Sequence, residues 1–381
     1  MKNALSRRNL VAGTVILAGL GRQARAIPPH PHPLAIAVRS PFLCSSVALT
    51  PTGAMFLGLP HFPGMEKSPS LVRVENNGTL TPFPGGAWNT WTPGQDGSSA
   101  LVMVNAIHIF RDGTLWVVDQ GALPGQTPQP GAQKLVQFDP ASGKVLQLLR
   151  FPDTIMPPGA QFNDLRIHGD LLFVTDSGLG GVIIHNLATG QTLRRLSGQP
   201  VMCNDSTHIH RGRHGRVLQD GNSKRPQVQS DMLEVDAAGQ WFWFSVPAGP
   251  LKRIPVASLL DPQKNDEELA GEVQVVAEIP SIGGTCIDTL GNIYLSDAEN
   301  ARITVLAPDG RRAALVSDPR LISPDALFID RNRTLYIPCP QLQNLAMFNG
   351  GHDTTRAPFL VLKMPLPERI GAIPLGDAVE G

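Results

Sequence analysis

The chain has 381 residues, with 32 basic and 32 acidic side chains, 17% charged residues and 42% hydrophobic ones. This balance lacks the basic excess that a nucleic-acid surface needs, and no internal apolar run is long enough to cross a bilayer as a helix. Gly 38 and Pro 35 beside so few charges suit an all-β chain full of turns.

The N-terminus reads as an export signal. Ser6-Arg7-Arg8-Asn9-Leu10 is a twin-arginine pattern, an apolar run follows over 11–20, and Ala24-Arg25-Ala26 fits a small-x-small cleavage site. The expected mature protein is therefore periplasmic or secreted, with residues 1–26 as signal and 27–381 as one domain. Loss of Lys2, Arg7, Arg8, Arg22 and Arg25 leaves 27 basic against 32 acidic residues, a formal charge of −5.

After the signal, residues 34–39 are apolar enough for a strand that closes a ring against the last repeat. Six repeats then follow: VALTPTGAMFLG, IHIFRDGTLWVVD, LRIHGDLLFVTD, LEVDAAGQWFWFS, CIDTLGNIYLSD and LFIDRNRTLYIPC. Each is a short apolar strand, a tight polar turn and a second strand opening on an aromatic. The aromatics are Phe56, Trp116, Phe173, Phe242, Tyr294 and Tyr336, at separations of 60, 57, 69, 52 and 42 residues. A second strand pair follows each repeat, as in SLVRVENNGTLTPF, KLVQFDPASGKVLQLLRF, GVIIHNLATGQTLRRLSG and ARITVLAPDGRRAALV. The fourth repeat is followed by PLKRIPVASLL with VQVVAEIP, and the sixth by NLAMFNGG with FLVLKMPLP. Asn77-Gly78, Ser142-Gly143, Thr189-Gly190 and Asp309-Gly310 fall where hairpin turns are needed. Units of four strands at this spacing predict a six-bladed β-propeller, all-β and antiparallel, around a central channel.

Two stretches exceed a blade. Residues 84–104 carry Trp88 and Trp91, which could stack on a ligand or pack over the ring. Residues 203–229 contain HIHRGRHGRV and a DGNSKRP turn; His208, His210 and His214 give the one metal-like histidine spacing, without a supporting motif. Long loops of this kind commonly line a ligand site. Cys44, Cys203, Cys286 and Cys339 form no C-x-x-C pair, so neither thioredoxin-like chemistry nor a structural zinc site is indicated. An exported chain permits disulfides, with no pairing assigned. There is no G-x-S-x-G elbow, P-loop or G-x-G-x-x-G at a strand–helix junction.

The repeat locates channel-facing positions by counting back from each aromatic. Eleven residues before, or ten in the third repeat with its shorter turn, stand Ser45, Asn105, Asn163, Asp231, Gly283 and Asp325. Asn and Asp oxygens suit a hard cation, and two neighbouring acids could raise one pKa and make a general base. A water-filled channel also selects polar residues, and Asn and Asp satisfy backbone at strand starts. Alternation turns Asp164 away from Asn163, toward a backbone role. Asp119, Asp176 and Asp297, each three residues after an aromatic, read as repeated turn caps.

Several of these segments resemble the Yellow/major royal jelly protein family: FNDLRIHGDLLFVTDSGLGGVIIHNLATGQTLRRLSG, LWVVDQG with KLVQFDPASGKVL, SDMLEVDAAGQWFWFSVPAGPLKRIPVASLLD, and SPDALFIDRNRTLYIPCPQLQN. The resemblance spans most of 40–345 in blade order and implies a secreted six-bladed propeller. Members are linked to catechol or dopachrome metabolism, to small-amine binding or to nutrition. More remotely, the chain is similar to the regucalcin/gluconolactonase propellers, which hydrolyse sugar lactones with a divalent metal in the channel. That similarity implies Asn163 and Asp231 as metal ligands, Asp231 as catalytic residue and Asn105 as substrate contact. The family's first-blade Glu is replaced by Ser45 or Ser46, with Asp325 as a substitute ligand from the sixth blade. The expected cofactor is a divalent cation, Ca, Mg, Mn or Zn.

Two main readings follow. One is a lactone (carboxylic ester) hydrolase with metal at Asn163, Asp231 and Asp325, and substrate at Asn105, Ser45, Trp88 and Trp91. The other is a binding protein for a small amine or aromatic. A protein-docking ring is a third use of the fold, and nothing in the sequence selects a partner.

Overall fold

The computed structural model describes residues 34–381, so the signal segment 1–26 lies outside the described residues. Six four-stranded antiparallel sheets form the blades. Blade one comprises Ser46–Leu49, Met55–Gly58, Leu71–Val74 and Leu80–Pro82; blade two, Val104–Ile109, Leu115–Asp119, Lys134–Phe138 and Val145–Leu149. Blade three comprises Phe162–His168, Leu171–Asp176, Val182–Asn186 and Thr192–Arg195; blade four, Leu233–Val235, Trp241–Phe244, Leu251–Pro255 and Gln274–Ala277. Blade five comprises Ile282–Ile287, Ile293–Asp297, Arg302–Leu306 and Arg312–Ser317. The first strands of blades one to five touch in sequence, and the first strand of blade one meets Thr334–Cys339 of blade six.

Blade six takes strands from both ends of the described chain. Its order is Phe328–Ile329, Thr334–Cys339, Phe359–Pro365 and then Ala35–Ser40, whose residues Ala35 to Ser40 pair with Lys363 to Phe359. The N-terminal segment thus closes the ring and covers an edge that would otherwise expose unpaired backbone. NLAMFNGG is not the third strand: Ala346–Phe348 is a single 3-10 turn, and the N-terminal strand fills the fourth place. VASLL is likewise helical, over Val256–Leu260, followed by a helix over Asp266–Glu272 that Asn265 and Glu268 cap reciprocally.

The repeat aromatics hold the blades against one another. Phe56, Trp116, Phe173, Phe242, Tyr294 and Tyr336 are all buried, and Phe173 of blade three stacks on Phe242 of blade four at 5.7 Å between centroids. Gly53, Gly113, Gly239 and Gly291, each three residues before the aromatic, supply the positive φ that the first hairpin turn requires. Blade six has Arg333 there, at φ 57, and its guanidinium bonds Asp377 and the carbonyls of Pro367 and Leu375.

Asp119, Asp176 and Asp297 are the turn anchors the repeat suggested. Asp119 accepts the N–H groups of Val102, Met103 and Gly121 and pairs at 2.7 Å with Lys134, both side chains fully buried. Asp176 accepts from Gln161, Gly178 and Leu179 and pairs with Arg194; Asp297 accepts from Asn300 and pairs with Arg302. All four cysteines are free.

Candidate functional site

The six counted-back positions meet in one place. Ser45, Asn105, Asn163, Asp231, Gly283 and Asp325 all line a cavity of about 490 Å³ at one end of the channel. The local cause lies at the start of the first strand and takes two forms. In blades two, three and five the pairing slips between Val104 and Ala106, Phe162 and Leu165, and Ile282 and Thr285. The residues inside each slip are Asn105, Asn163 with Asp164, and Gly283 with Gly284. Such bulges release a residue from the ladder and re-aim its side chain. In blades one, four and six the position lies just before the strand. There the N–H groups of Ser45, Asp231 and Asp325 bond the carbonyls of Gly58 and Pro338 in the second strands and of Ser245 just beyond one.

The bulge also corrects the reading of Asp164. Strand alternation would turn it away from Asn163, yet both residues line the cavity. Asp164 does bond backbone, accepting from Leu165 N–H at 2.7 Å, and its other oxygen receives Arg166 Nη1 at 2.9 Å.

Neighbouring blades are stitched around the cavity. Ser45 Oγ donates to the Asn105 carbonyl at 3.1 Å, Asn105 Nδ2 to the Asn163 carbonyl at 3.0 Å, and Thr175 Oγ1 to the Asp231 carbonyl at 2.6 Å. Glycine at 283 has a steric reason: a Cβ there would lie 2.5 Å from the Pro324 carbonyl of blade six.

Two carboxylates dominate the floor. Asp231 is pushed up to about 8 by burial and by the Asp164 charge, against a hydrogen bond from Asn163 that favours its charged form. Asp325 is raised well above the ordinary carboxylate range by burial and then by Asp231. Among the described residues neither forms an ion pair with a basic side chain. Also among these residues, no group of three or more His, Cys, Asp or Glu side chains is placed to hold a metal, so a cation here would depend on the Asn163 amide.

The walls come partly from residues the sequence did not single out. Phe62, Met347 and Phe348 form an apolar side, with the Phe62 and Phe348 rings 6.4 Å apart. His210 also lines the cavity, and burial lowers it to about 4, so it is neutral at pH 7. His208 does not line it: its ring bonds Asp205 and Glu278 instead. Trp88 and Trp91 are also elsewhere. Trp88 packs edge-on against Phe138 of blade two, and Trp91 stacks near His61 and donates to the Gln95 carbonyl. Neither Trp88 nor Trp91 lines this cavity.

Below the floor lies an ion-pair layer that the sequence reading missed. Arg166 binds Glu234 through Nε and Nη2 at 2.9 and 2.8 Å and reaches Asp164, while Thr285 Oγ1 donates to Glu234 at 2.7 Å. Asp164 faces the upper cavity; Arg166 and Glu234 face a second, smaller one of about 70 Å³. Ala378, Val379, Glu380 and Gly381 line that lower space, so the final segment covers this end of the channel. A buried Arg and Glu in first strands of adjacent blades were the available signal.

The fold has well-characterised counterparts. A gluconolactonase from Xanthomonas campestris superposes with a TM-score of 0.52 at 14% identity, covering 88% of this chain and 89% of that one. A calcium-binding regucalcin from Agrobacterium tumefaciens gives 0.52 at 14% identity, covering 92% and 96%. At such identity the likeness is one of fold. No curated protein matches the chain. The profile described as Major royal jelly protein matches residues 102–370, well over half of the sequence, and the chain belongs to that family.

Proposed function

We propose that this chain is an exported, divalent-cation-dependent hydrolase of sugar lactones acting in the upper cavity. The observation that carries this reading is the pair of unpaired carboxylates, Asp231 and Asp325, beside the Asn163 amide in a cavity large enough for a small ligand. The donor set fits a hard cation: two carboxylates and an amide are all oxygen ligands, and a cation would offset the burial and the neighbouring negative charge that raise both acids. Asn163, Asp231 and Asp325 would hold it. When bound, it would supply Lewis-acid polarisation of the lactone carbonyl.

The protein's own groups do the rest. Asp231, once ionised, takes a proton from the attacking water as its oxygen bonds to the carbonyl carbon. The ring C–O bond then breaks, the ring oxygen leaves as a hydroxyl on receiving that proton back from Asp231, and the product is the open hydroxy acid. Asn105 has its Nδ2 committed to the Asn163 carbonyl, which leaves Oδ1 to accept from a substrate hydroxyl. Ser45 orients Asn105 through its carbonyl. Export rests on the twin-arginine segment; among the described residues no helix is long and apolar enough to cross a membrane.

Lactone hydrolysis by the mature protein tests this. Activity should vanish in EDTA, return with Ca, Mg, Mn or Zn, and fall at least ~100-fold in Asp231→Asn, the usual scale of a general base. Full activity in both cases overturns the proposal. The apolar wall of Phe62, Met347 and Phe348 favours a second reading, an amine-binding protein whose ligand ammonium faces the same carboxylates. Calorimetric binding of a catecholamine or indoleamine without lactone turnover would select it.

A further inference from the structure

The cavity is electrically divided. Its floor carries Asp231 and Asp325, whereas Arg211, Lys224 and Arg225 line it from the 203–229 segment. That segment is fixed across the ring rather than loosely draped. Arg211 N–H donates to Ser281 Oγ at 2.8 Å, Arg213 N–H to Gln343 Oε1 at 2.7 Å, and Gln219 N–H to the Phe348 carbonyl at 3.3 Å. The three cations are uncommitted. Among the described residues none is in an ion pair. Arg211 spends one N–H on the Gly215 carbonyl, and among the described residues the Lys224 and Arg225 side chains have no hydrogen-bond partner. Of the two acids on this segment, Asp205 bonds His208, and Asp220, which also lines the cavity, is engaged by the N–H groups of Asn222 and Lys224.

An anion at the floor would face Asp231 and Asp325, whereas an anion at the Arg211–Lys224–Arg225 side meets three cations against the one backbone-bonded carboxylate of Asp220, beside apolar Phe62 and Phe348. We propose that this side is a subsite for an anionic group, carboxylate or phosphate, on a ligand whose neutral polyhydroxy end reaches the floor. Arginine recognises either group through paired N–H donors. The inference rests on the proposed lactonase reading only for the identity of the floor-facing end.

The test is calorimetry at low salt with three stable probes: sorbitol, gluconate and sorbitol 6-phosphate. At least one of the two anionic probes should bind about tenfold more tightly than sorbitol, a gain that salt reduces. The double variant Lys224→Ala/Arg225→Ala should cancel the gain while leaving sorbitol affinity and Tm unchanged. A preference for gluconate alone or for the phosphate alone assigns the group. Equal affinity for all three, no binding of any, or an anion preference that survives the double variant and Arg211→Ala overturns the proposal. Hydrolysis of neutral glucono-δ-lactone, run in parallel, reports separately on the hydrolase reading. Turnover without anion preference sinks only the subsite, and anion preference without turnover sinks only the hydrolase.

Discussion

Asp231 sits in an environment that works against its charged form. Its carboxyl titrates near 8 in the folded chain, against about 3.9 unfolded. Between those values the native state holds a proton that the unfolded state has lost, so stability falls as pH rises from about 4 to about 8. Asp231→Asn removes that penalty. In EDTA it should be more stable than the wild type at pH 8 by about 1–3 kcal/mol, a range discounted because the side chain still touches cavity solvent. The difference should shrink toward pH 4; equal melting temperatures across this range would rule out the raised carboxyl. Lys134 behaves oppositely. Its ammonium sits between Asp119 and the carbonyls of Gly97 and Ala132, with no solvent contact. Lys134→Met leaves Asp119 charged and unpaired, and denaturant unfolding should show a loss of about 3–5 kcal/mol. The special status of Asp231 was visible in the repeat, since counting identified its position. Its partners were not, because the spacing between blades is absent from a linear sequence.

Among the elements, the closing strand and the bulged first strands decide most. Ala35–Ser40 is apolar at Val38, which is buried against the core of blade one and pairs with Val361. Val38→Asp places an unpaired carboxylate there and should lower stability by more than about 3 kcal/mol, seen as a large drop in Tm. A drop under 2 °C would mean that the ring closes without this strand. The strand was legible because an apolar run before the first repeat has few other uses in a ring. The bulges were not legible. Strict alternation sorts Asn163 and Asp164 onto opposite faces, and a one-residue slip in pairing puts both into the cavity. Nothing in the residues 162–165 announces that slip, because it depends on where Asp176 and Val174 of the partner strand are held. NLAMFNGG misled for a related reason: its apolar residues pack on Phe62 and Leu43 rather than in a ladder.

At the scale of the whole molecule, the ring has a channel whose two ends differ. One end opens into the cavity with the paired acids; the other is covered by residues 376–381. That cover is well tied. The Gly376 N–H bonds the buried Asp288 carboxylate, Thr289 N–H bonds the Asp377 carbonyl, Arg111 N–H bonds the Glu380 carbonyl, and Arg331 pairs with Glu380. Deletion of 376–381 should admit solvent to the lower cavity, speed hydrogen exchange in the strand carrying Arg166 and lower Tm, while ligand affinity in the upper cavity changes less than about twofold. Loss of upper-cavity binding with retained folding would show that the two ends are coupled through the Arg166–Glu234 layer.

The repeat, the blade count, the channel-facing position in each blade and the turn aspartates can all be read along the chain. These depend on local hydrophobic alternation and fixed offsets, which chain order preserves. Contacts in three dimensions set Trp88 against Phe138 and Trp91 near His61, bring Asp164 into the cavity, and build the buried layer of Arg166, Glu234 and Thr285 beneath it. They also make the two ends of the described chain serve the same propeller, one as the last strand and the other as a cover. Each of these depends on contacts between residues tens to hundreds of positions apart. Their energies come from burial and charge pairing across blades, and no offset along the chain encodes them.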